Sequence, residues 1–324
     1  MTKKVKKKVF MTRTFPDFAV KELKKHFDVE IHKGPFPISK KKLISKIKNK
    51  DGLICYPYDN IDKDVIMSGT KLKTISTFSV GYDHIDIKFA KEKKIRIGYT
   101  PNILTIATAD LTIILMLDLL RRVTEGDRLI RSGKWSSVFG ATTFVGEEVA
   151  GKTLGILGLG RIGLAVAKRA QAFGIKVIYH NRTRLSPKKE KSLRVSYVTQ
   201  NELFQKSDIV SLHLPYSKKT HELIKLPLLK KMKKQSYIIN TARGKIIKEK
   251  DLIVALKRKI IAGAALDVFF EEPIGKNHPF AKMQNVVLAP HIGSSSIITR
   301  TKMVELTVKN LKLGLAGKKL IYSV

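Results

Sequence analysis

Cysteine, tryptophan and acidic residues are all scarce in this 324-residue chain. Because Cys55 is the only cysteine, no disulfide can form within the chain, which is typical of proteins from a reducing compartment. The most apolar segment, residues 103–120, contains Asp110 and Asp118. A carboxylate at bilayer depth costs about 2.5–3.5 kcal/mol, so we interpret this segment as a buried helix and expect no membrane association. The basic amino terminus is not followed by the apolar part of a secretory signal, and we expect a cytoplasmic protein.

The shortage of acidic residues leaves 63 Lys and Arg against 27 Asp and Glu, a formal net charge of +36. Clustered cations can bind nucleic acid because they displace condensed counterions from phosphates. Here the lysine runs are spread along the whole chain, and they contain almost no aromatic residues that could stack on bases. We therefore expect a generally basic surface and no specific nucleic-acid partner. The same charge would favour an anionic substrate or cofactor.

Short apolar segments alternate with amphipathic ones, and 324 residues suffice for about two domains. A first series has predicted strands at 9–12, 29–31, 52–55, 72–78 and 95–99, with helices at 16–26, 39–49, 63–68 and 86–91. A second series has predicted strands at 153–157, 176–180, 194–198, 208–214, 236–240, 263–268 and 285–288, with helices at 161–173, 248–258 and 297–315. Between the two series we predict one long helix (103–131) and a loop (132–149). This alternation predicts an α/β fold with parallel sheets covered by helices on both faces.

A glycine-rich loop follows the first strand of the second series, where residues 153–163 read TLGILGLGRIG. Gly158 permits a tight turn, Gly160 lets the backbone approach a pyrophosphate, and Gly163 allows close packing of helix on strand. The start of the following helix supplies N–H groups and a positive dipole end to the anion. A strand before the loop and a helix after it favour a dinucleotide site over a glycine-rich turn without a ligand. The residues before the loop are then expected to bind the substrate.

Three charged residues lie at predicted strand ends after this loop, where open α/β sheets bind ligands. Arg243 could bind the carboxylate of a 2-oxo acid through a bidentate fork. His291 suits proton donation near neutrality, and Glu272 could orient it and favour the imidazolium. Each residue also has a structural interpretation: a surface ion pair, an exposed acidic turn, or an ordinary histidine. His213 is a rival acid, but it lacks an evident carboxylate partner in the sequence.

The residues after the second strand of this series bear on the choice between NAD and NADP. An acid at this place accepts hydrogen bonds from the ribose 2′-hydroxyl in NAD-specific domains. Here residues 175–189 contain no Asp or Glu, and the place is taken by Asn181, followed by Arg182, Thr183 and Arg184. The two guanidinium groups could bind a 2′-phosphate, so NADP(H) is favoured, while NAD(H) remains an alternative.

The segments GLGRIG, NTARG, LDVFFEEP and APHIGS, in this order and spacing, resemble those of the D-isomer-specific 2-hydroxyacid dehydrogenases. The likeness extends to SVGYDHID at 79–86 and TPNILTIATADLT at 100–112, and it is greatest to glyoxylate/hydroxypyruvate reductases. The resemblance implies two Rossmann-like, doubly wound lobes. A cofactor lobe (102–291) would be inserted into a flavodoxin-like substrate lobe (1–101 and 292–324).

The resemblance also implies roles for individual residues. Arg243 would bind substrate, Glu272 and His291 would form the acid–carboxylate pair, and the Val80 and Gly81 amides would hold the substrate carboxylate. Together, the motifs and the resemblance assign the dinucleotide to Gly158, Gly160, Arg161, Ile162, Gly163, Asn181, Arg182, Thr183, Leu214, Pro215, Thr220, Thr241, Ala242, Arg243, Asp267, His291 and Gly293. No metal is expected.

The reaction implied is the reduction of glyoxylate or hydroxypyruvate by NAD(P)H to the 2-hydroxy acid, with His291 as the proton donor. A phosphoglycerate dehydrogenase or another member of the same family is an alternative. A second alternative is a corepressor-type protein that senses the dinucleotide without turnover. The resemblance further implies a homodimer, with its contact at the 103–131 helix and the following loop, which contains Trp135.

Overall fold

Two parallel β-sheets organise the chain, and each belongs to its own structural unit. The computed structural model describes residues 5–324. The first unit comprises residues 5–104 and Ser295–Val324, and the second unit comprises Thr105–Ser294. The sequence analysis predicts divisions after residues 101 and 291, each three residues earlier than the division between the units. The predicted α/β class with parallel sheets is confirmed.

Residues 5–324 form twelve strands and twelve α-helices, which alternate regularly over most of this range. The strands are β1 (Lys8–Met11), β2 (Asp28–Ile31), β3 (Gly52–Cys55), β4 (Thr74–Thr77), β5 (Arg96–Gly98), β6 (Thr153–Leu157), β7 (Lys176–His180), β8 (Val195–Tyr197), β9 (Ile209–Leu212), β10 (Tyr237–Asn240), β11 (Gly263–Leu266) and β12 (Val286–Leu288). The helices are α1 (Asp17–His26), α2 (Lys40–Ile47), α3 (Lys63–Ser68), α4 (Ile87–Glu92), α5 (Thr105–Arg121), α6 (Val123–Arg131), α7 (Arg161–Ala172), α8 (Pro187–Leu193), α9 (Gln200–Lys206), α10 (Leu226–Leu229), α11 (Glu249–Lys257) and α12 (Ile297–Leu315).

The first unit has a five-stranded parallel sheet in the order β2-β1-β3-β4-β5. Every residue of β3 and β4 is buried, because helices cover both faces of a parallel sheet. Helix α12 packs on β3, β4 and β5, and α1 packs on α12. Because β1, β3 and β4 are parallel neighbours in the sheet, their carboxyl ends lie side by side at one edge of it.

The second unit has a seven-stranded parallel sheet in the order β12-β11-β10-β9-β6-β7-β8. From β6, the chain adds β7 and β8 toward one side of the sheet, and from β9 it adds β10, β11 and β12 toward the other side. The direction in which strands are added therefore reverses between β6 and β9. In open α/β sheets, ligands bind at the carboxyl edge beside such a reversal. The glycine loop after β6 and the segment after β9 lie at this point.

The prediction of one helix over residues 103–131 is wrong. Helix α5 ends at Arg121, Arg122 has a left-handed backbone with φ of 59°, and α6 begins at Val123. The Asp118 side chain accepts hydrogen bonds from the backbone N–H and the hydroxyl of Thr124. These bonds stabilise the start of α6 and compete with continuation of α5. Such a local bond does not disturb the apolar periodicity, so the pattern alone predicts a single helix.

Among residues 5–324, no helix combines the length and the apolar character needed to cross a membrane. Within the same range, no group of three or more His, Cys, Asp or Glu side chains is placed to hold a metal ion.

Candidate active site

The three glycines of the loop after β6 differ in what surrounds them. Gly158 has φ of 100°, and a Cβ there would lie 2.8 Å from the His213 carbonyl oxygen. At Gly163 a Cβ would lie 2.5 Å from the Gly158 carbonyl oxygen. At Gly160 a Cβ would meet nothing within 4 Å. Packing therefore requires glycine at the first and third positions, whereas the second presents bare backbone to open space.

Helix α7 begins directly after Gly160, and no side chain caps it. The first backbone N–H groups of an α-helix have no partner within the helix, and they carry the positive end of its dipole. The Arg161 and Ile162 amides thus belong to an uncapped helix start beside the open face of Gly160. This arrangement fits the pyrophosphate of a dinucleotide, which needs N–H donors and a close backbone approach.

Asn181 follows β7 and faces the glycine loop. Its Oδ1 accepts a hydrogen bond from the Leu159 N–H at 2.6 Å, and its Nδ2 donates to the Leu159 carbonyl at 3.4 Å. The side chain predicted to bind the cofactor therefore also holds the loop in place. Arg182 and Thr183 are exposed, and within residues 5–324 Arg182 has no carboxylate partner.

Arg184 forms an ion pair within the protein, whereas the sequence analysis interprets its guanidinium as open to a 2′-phosphate. It binds Glu190 through two hydrogen bonds of 2.8 and 2.9 Å, and it lies 5.4 Å from the centre of the Tyr197 ring. The hydrogen bonds from Arg184 lower the pKa of Glu190. Glu190 stands one residue beyond the acid-free segment 175–189, and α8 brings it back onto the arginine.

The rival acid, His213, is not suited to donate a proton. Burial lowers its pKa to about 4, so the ring is neutral near neutral pH. Its Nε2 pairs with the Ser211 hydroxyl at 2.8 Å, and its backbone packs against Gly158. The structure thus favours a packing role for His213 beside the glycine loop.

Arg243, Glu272 and His291 follow β10, β11 and β12, which are neighbours in the sheet. His291 Nδ1 lies 2.7 Å from Glu272 Oε2. The other carboxylate oxygen, Oε1, accepts a hydrogen bond from the Phe269 N–H at 2.9 Å. Burial alone would raise the pKa of Glu272, but the hydrogen bond and charge of His291, together with Arg243, bring it below its usual value. Glu272 is therefore held as a carboxylate against the imidazole.

Asp267 holds the segment that carries His291. Its two carboxylate oxygens accept hydrogen bonds from the Ile292 and Gly293 N–H groups at 2.7 and 2.8 Å. This fixes the chain where His291 has a left-handed backbone with φ of 54°. Burial raises the pKa of Asp267 to about 6, even though the two N–H bonds and the nearby His291 oppose this change.

The loops that carry Arg243 and Glu272 touch through their backbones. A Cβ at Gly244 would lie 1.9 Å from both the carbonyl carbon and the oxygen of Phe269, so only glycine fits there. Arg243 Nη1 donates to the Ala242 carbonyl at 2.8 Å. The close contact of the two loops explains how the Arg243 charge reaches Glu272.

Asn240 supports the arginine loop, and sequence analysis did not single it out. Its Nδ2 donates to the Arg243 carbonyl at 2.9 Å, and its Oδ1 accepts from the Ala242 N–H at 3.0 Å. An Asn at a strand end that begins a turn is the available sequence signal, because such side chains bond to backbone groups a few residues ahead. The turn after β10 is thereby fixed.

The remaining residues predicted to bind the cofactor lie in loops at the carboxyl edge of the same sheet. Thr220 donates its hydroxyl to the Pro215 carbonyl at 2.8 Å, which closes the loop that begins at Leu214. The Thr241 hydroxyl pairs with that of Thr112 at 2.9 Å. The structure thus shows local supporting roles for the Thr220 and Thr241 hydroxyls.

Val80 and Gly81 belong to the first unit, just after β4, and both are half-buried. The Ser79 hydroxyl donates to the Gly81 carbonyl at 2.6 Å and pairs with the Thr77 hydroxyl at 2.7 Å. In the part of the chain that the structure describes, neither the Val80 nor the Gly81 N–H donates to a protein acceptor. Adjacent half-buried donors without acceptors suit a carboxylate ligand.

Comparison with known proteins identifies the family. The model of the D-isomer specific 2-hydroxyacid dehydrogenase NAD binding domain matches residues 113–293. The chain is 44% identical over 312 residues to a glyoxylate reductase from Thermofilum pendens, which covers 96% of this chain and 92% of that protein.

Solved structures agree with this result. A glyoxylate reductase from Paecilomyes thermophila has 32% identity and a TM-score of 0.86, over 98% of both chains. An NADPH-dependent glyoxylate/hydroxypyruvate reductase from Sinorhizobium meliloti, solved with NADP and malonate, has 27% identity and a TM-score of 0.85, over 98% of this chain and 97% of that one. The chain therefore belongs to the D-isomer-specific 2-hydroxyacid dehydrogenase family, and it is an oxidoreductase that reduces 2-oxo acids with a nicotinamide dinucleotide.

Proposed function

We propose that this enzyme reduces glyoxylate and hydroxypyruvate, uses NADPH in preference to NADH, and takes the proton from His291. The observation that carries the proposal is the 2.7 Å contact between His291 and Glu272 at the strand ends beside Arg243. The similarity to glyoxylate reductases supports the substrates.

His291 acts as the general acid. Because its Nδ1 bonds to Glu272, Nε2 is the ring nitrogen that we assign to the substrate. Glu272, whose pKa is lowered, remains ionised and favours the imidazolium that reduction consumes. When bound, the nicotinamide supplies the hydride to C2 of the 2-oxo acid, and His291 protonates the carbonyl oxygen to give the hydroxyl. The imidazole that remains then takes a proton from solvent before the next turnover.

Arg243 binds the carboxylate of the substrate. A guanidinium presents parallel N–H donors that match a carboxylate, and such charge-assisted bonds are stronger than neutral ones. The turn made by Asn240 and the contact of Gly244 with Phe269 fix its backbone. We assign the Val80 and Gly81 amides of the first unit to a substrate carboxylate as well.

A substrate panel tests the activity. NADPH oxidation is followed with glyoxylate, hydroxypyruvate, pyruvate and phosphohydroxypyruvate, and we expect the first two to give the highest kcat/KM. A higher value for phosphohydroxypyruvate would favour the phosphoglycerate dehydrogenase alternative. Dinucleotide binding without turnover of any 2-oxo acid would favour a corepressor-type protein and contradict the proposal.

Arg182 is the residue that we assign to NADPH selection. It is exposed, it directly follows the position of the missing acid, and unlike Arg184 it has no carboxylate partner in residues 5–324. A charge-assisted bond to a 2′-phosphate is worth about 1.5–3 kcal/mol, or roughly 10- to 150-fold in affinity. The Sinorhizobium meliloti relative, an NADPH-dependent reductase solved with NADP, supports this choice.

The selectivity test compares kcat/KM for NADPH and NADH in the wild type, Arg182→Ala and Arg258→Ala. Arg258 is a matched control because it is an exposed arginine at the end of α11, which leads to the amino end of β11. We expect a wild-type ratio above one, a fall of roughly 10- to 150-fold in Arg182→Ala, and no change in the control. A ratio below one, or a ratio that Arg182→Ala leaves unchanged, would refute the assignment.

We also propose that the enzyme is a homodimer. Helix α6 and the loop that follows it expose several large apolar side chains: Val123, Ile130, Trp135, Val138, Phe139 and Val145. Val138 is 87% exposed, and exposed apolar surface typically marks protein interfaces. Sedimentation analysis is expected to show a dimer that Val138→Asp combined with Ile130→Asp converts to monomer. A monomeric wild type would contradict the proposal.

A further inference from the structure

A cavity lies at the amino edge of the sheet in the second unit, opposite the edge that carries the glycine loop and the catalytic loops. Its volume is about 270 Å³. One wall contains Tyr237 and Val286, the first residues of β10 and β12, and the other wall comes from the junction of α5 and α6. The proposed reaction uses only the carboxyl edge of this sheet, so it gives the cavity no role.

Arg128 of α6 contributes a cation to the lining of the cavity. Its side chain is exposed, and within residues 5–324 its guanidinium forms no hydrogen bond or ion pair. Two neighbouring arginines are paired: Arg122 binds Glu125 at 2.7 and 2.9 Å, and Arg131 binds Asp127 at 2.8 Å. The N–H donors of Arg128 therefore remain available to an anionic ligand.

Asp118, near the end of α5, contributes a half-buried carboxylate to the same lining. Its oxygens accept hydrogen bonds from the N–H and the hydroxyl of Thr124, and both of these donors are uncharged. In the part of the chain that the structure describes, no Lys, Arg or His lies at salt-bridge distance from this carboxylate. Each carboxylate oxygen can accept more than one hydrogen bond, so Asp118 can still receive a cationic donor.

The cavity thus holds two opposite charges that do not pair with each other. A charge that is partly removed from water is costly unless a partner compensates it. Asn285 adds a neutral acceptor to the same lining, because its Nδ2 donates to the Ala262 carbonyl at 2.9 Å and its Oδ1 is left over. A ligand that satisfies Arg128 and Asp118 together must carry an anion and a cation, which is the property of a zwitterion.

The rest of the lining is mainly apolar, and it limits the size of the ligand. Leu119, Val286 and Val287 are buried side chains that border the cavity. The Tyr237 hydroxyl already donates to Glu147 at 2.7 Å. Small-molecule sites usually measure about 300–1,000 Å³, so a cavity at the lower end of this range suits a ligand with a short side chain.

The side of α6 that lines the cavity differs from the side that we assign to the dimer contact. Successive residues of an α-helix are rotated by about 100°, so Val123 and Ile130 lie about 20° apart around the axis. Arg128 lies about 140° from Val123 and about 160° from Ile130. The exposed apolar side of α6 can therefore contact another protomer while the polar side lines the cavity.

We propose that this cavity binds a small free α-amino acid. Arg128 binds its carboxylate through charge-assisted hydrogen bonds, and Asp118 and Asn285 Oδ1 accept hydrogen bonds from its ammonium. The short side chain packs against the apolar part of the lining. Because the dinucleotide loops lie at the opposite edge of the sheet, the enzyme can hold the amino acid and the cofactor at the same time.

Titration calorimetry with matched ligands tests the need for both charges. Glycine, L-alanine and L-serine are the amino acids, and L-leucine tests the limit on size. Propionate is alanine without its ammonium, and ethylamine is alanine without its carboxylate. Each titration is repeated with saturating NADPH. The measurement requires no turnover, so its result is independent of the proposed function.

Three variants test the two charged residues. Arg128→Met removes the cation from an exposed position and should leave the fold intact. Asp118→Asn removes the negative charge and keeps an acceptor for Thr124. Arg131→Met is the matched control, because Arg131 is an exposed arginine of the same helix that is paired with Asp127. All proteins are compared at one ionic strength, since salt screens exposed charges.

We expect at least one of the three small amino acids to bind the wild type, and L-leucine, propionate and ethylamine to bind at least about 10-fold more weakly. Arg128→Met and Asp118→Asn should each raise Kd by about 5- to 20-fold, while Arg131→Met and saturating NADPH should leave it unchanged. If Asp118→Asn fails to fold, Arg128→Met alone decides the test.

Three results would overturn the inference. The first is a wild type that binds none of the amino acids. The second is propionate or ethylamine binding as tightly as L-alanine, since one charge would then suffice. The third is an affinity that Arg128→Met leaves unchanged or that NADPH abolishes, since the amino acid would then bind elsewhere.

Discussion

Alanine at Gly160 is expected to weaken cofactor binding without weakening the fold. A Cβ at this position meets no protein atom within 4 Å, so the substitution creates no clash. Fewer conformations in the unfolded chain favour alanine by about 0.4–1 kcal/mol. Alanine is a poorer helix N-cap than glycine by a similar amount, so the two effects nearly cancel. We expect the free energy of unfolding to change by less than about 1 kcal/mol.

The affinity for the dinucleotide should fall because the new methyl group occupies the space that the pyrophosphate approaches. Losing one charge-assisted bond to the start of α7 costs about 1.5–3 kcal/mol, which corresponds to roughly 10- to 150-fold in Kd. Titration calorimetry with NADPH measures this change, and differential scanning calorimetry of the free protein measures Tm.

Gly163→Ala is the matched comparison from the same loop. Its Cβ would lie 2.5 Å from the Gly158 carbonyl oxygen, which is backbone and cannot rotate away. Overpacking of this kind costs about 1–3 kcal/mol, partly offset by the higher helix propensity of alanine. We expect Gly163→Ala to lower both Tm and affinity, and Gly160→Ala to lower affinity alone. If Gly160→Ala lowered Tm as much as Gly163→Ala does, or bound NADPH normally, the assignment of open space to the pyrophosphate would be wrong.

Four further predictions concern the catalytic loops. His291→Ala should lower kcat by about 10²- to 10⁴-fold in steady-state assays, whereas Arg243→Ala should also raise KM because ground-state binding is lost. Glu272→Gln removes the carboxylate that lies 2.7 Å from the imidazole and favours the imidazolium that reduction consumes. The alkaline fall of the kcat/KM profile should therefore move to lower pH, and an unchanged profile would show that Glu272 does not act with His291. Gly244→Ala should lower kcat/KM and Tm together, because its Cβ would lie 1.9 Å from the backbone of the facing loop. Burial raises the pKa of Asp267 from 3.8 to about 6. The free energy of unfolding of the wild type should therefore fall by about 3 kcal/mol as pH rises from about 4 to about 6, whereas that of Asp267→Asn should not show this fall.

Much of the second unit could be predicted from sequence because its signals are local. Strands β6 and β7 and helix α12 have the predicted bounds, since each is an apolar segment with a glycine or polar residue at its ends. Glu272 and His291 are 19 residues apart in the chain, yet the parallel sheet brings the ends of β11 and β12 to one edge. Strand-end position alone therefore indicated that these two side chains would lie close together.

The features that sequence analysis did not predict depend on contacts between residues that no local pattern links. The break at Arg122 is stabilised by Asp118 and by the Phe144 ring 4.1 Å away, neither of which alters the helical periodicity. The sequence suggests an open Arg184 because Glu190 lies just beyond the acid-free segment 175–189, but α8 brings Glu190 back onto the arginine. Such contacts become visible only when the tertiary structure is known.

Backbone contacts set the spacing of the loops at the carboxyl edge of the second unit. Gly158 packs against His213, and Gly244 packs against Phe269, and a single Cβ at either glycine would push the facing loops apart. Side-chain contacts between neighbouring loops, such as the 2.7 Å contact of His291 with Glu272, add to this arrangement. Gly160 is different, because no protein contact requires it. In the glycine motif, the two glycines that the fold requires are thus physically distinct from the glycine that we assign to the ligand. A chain could lose the ligand-binding glycine while keeping the other two.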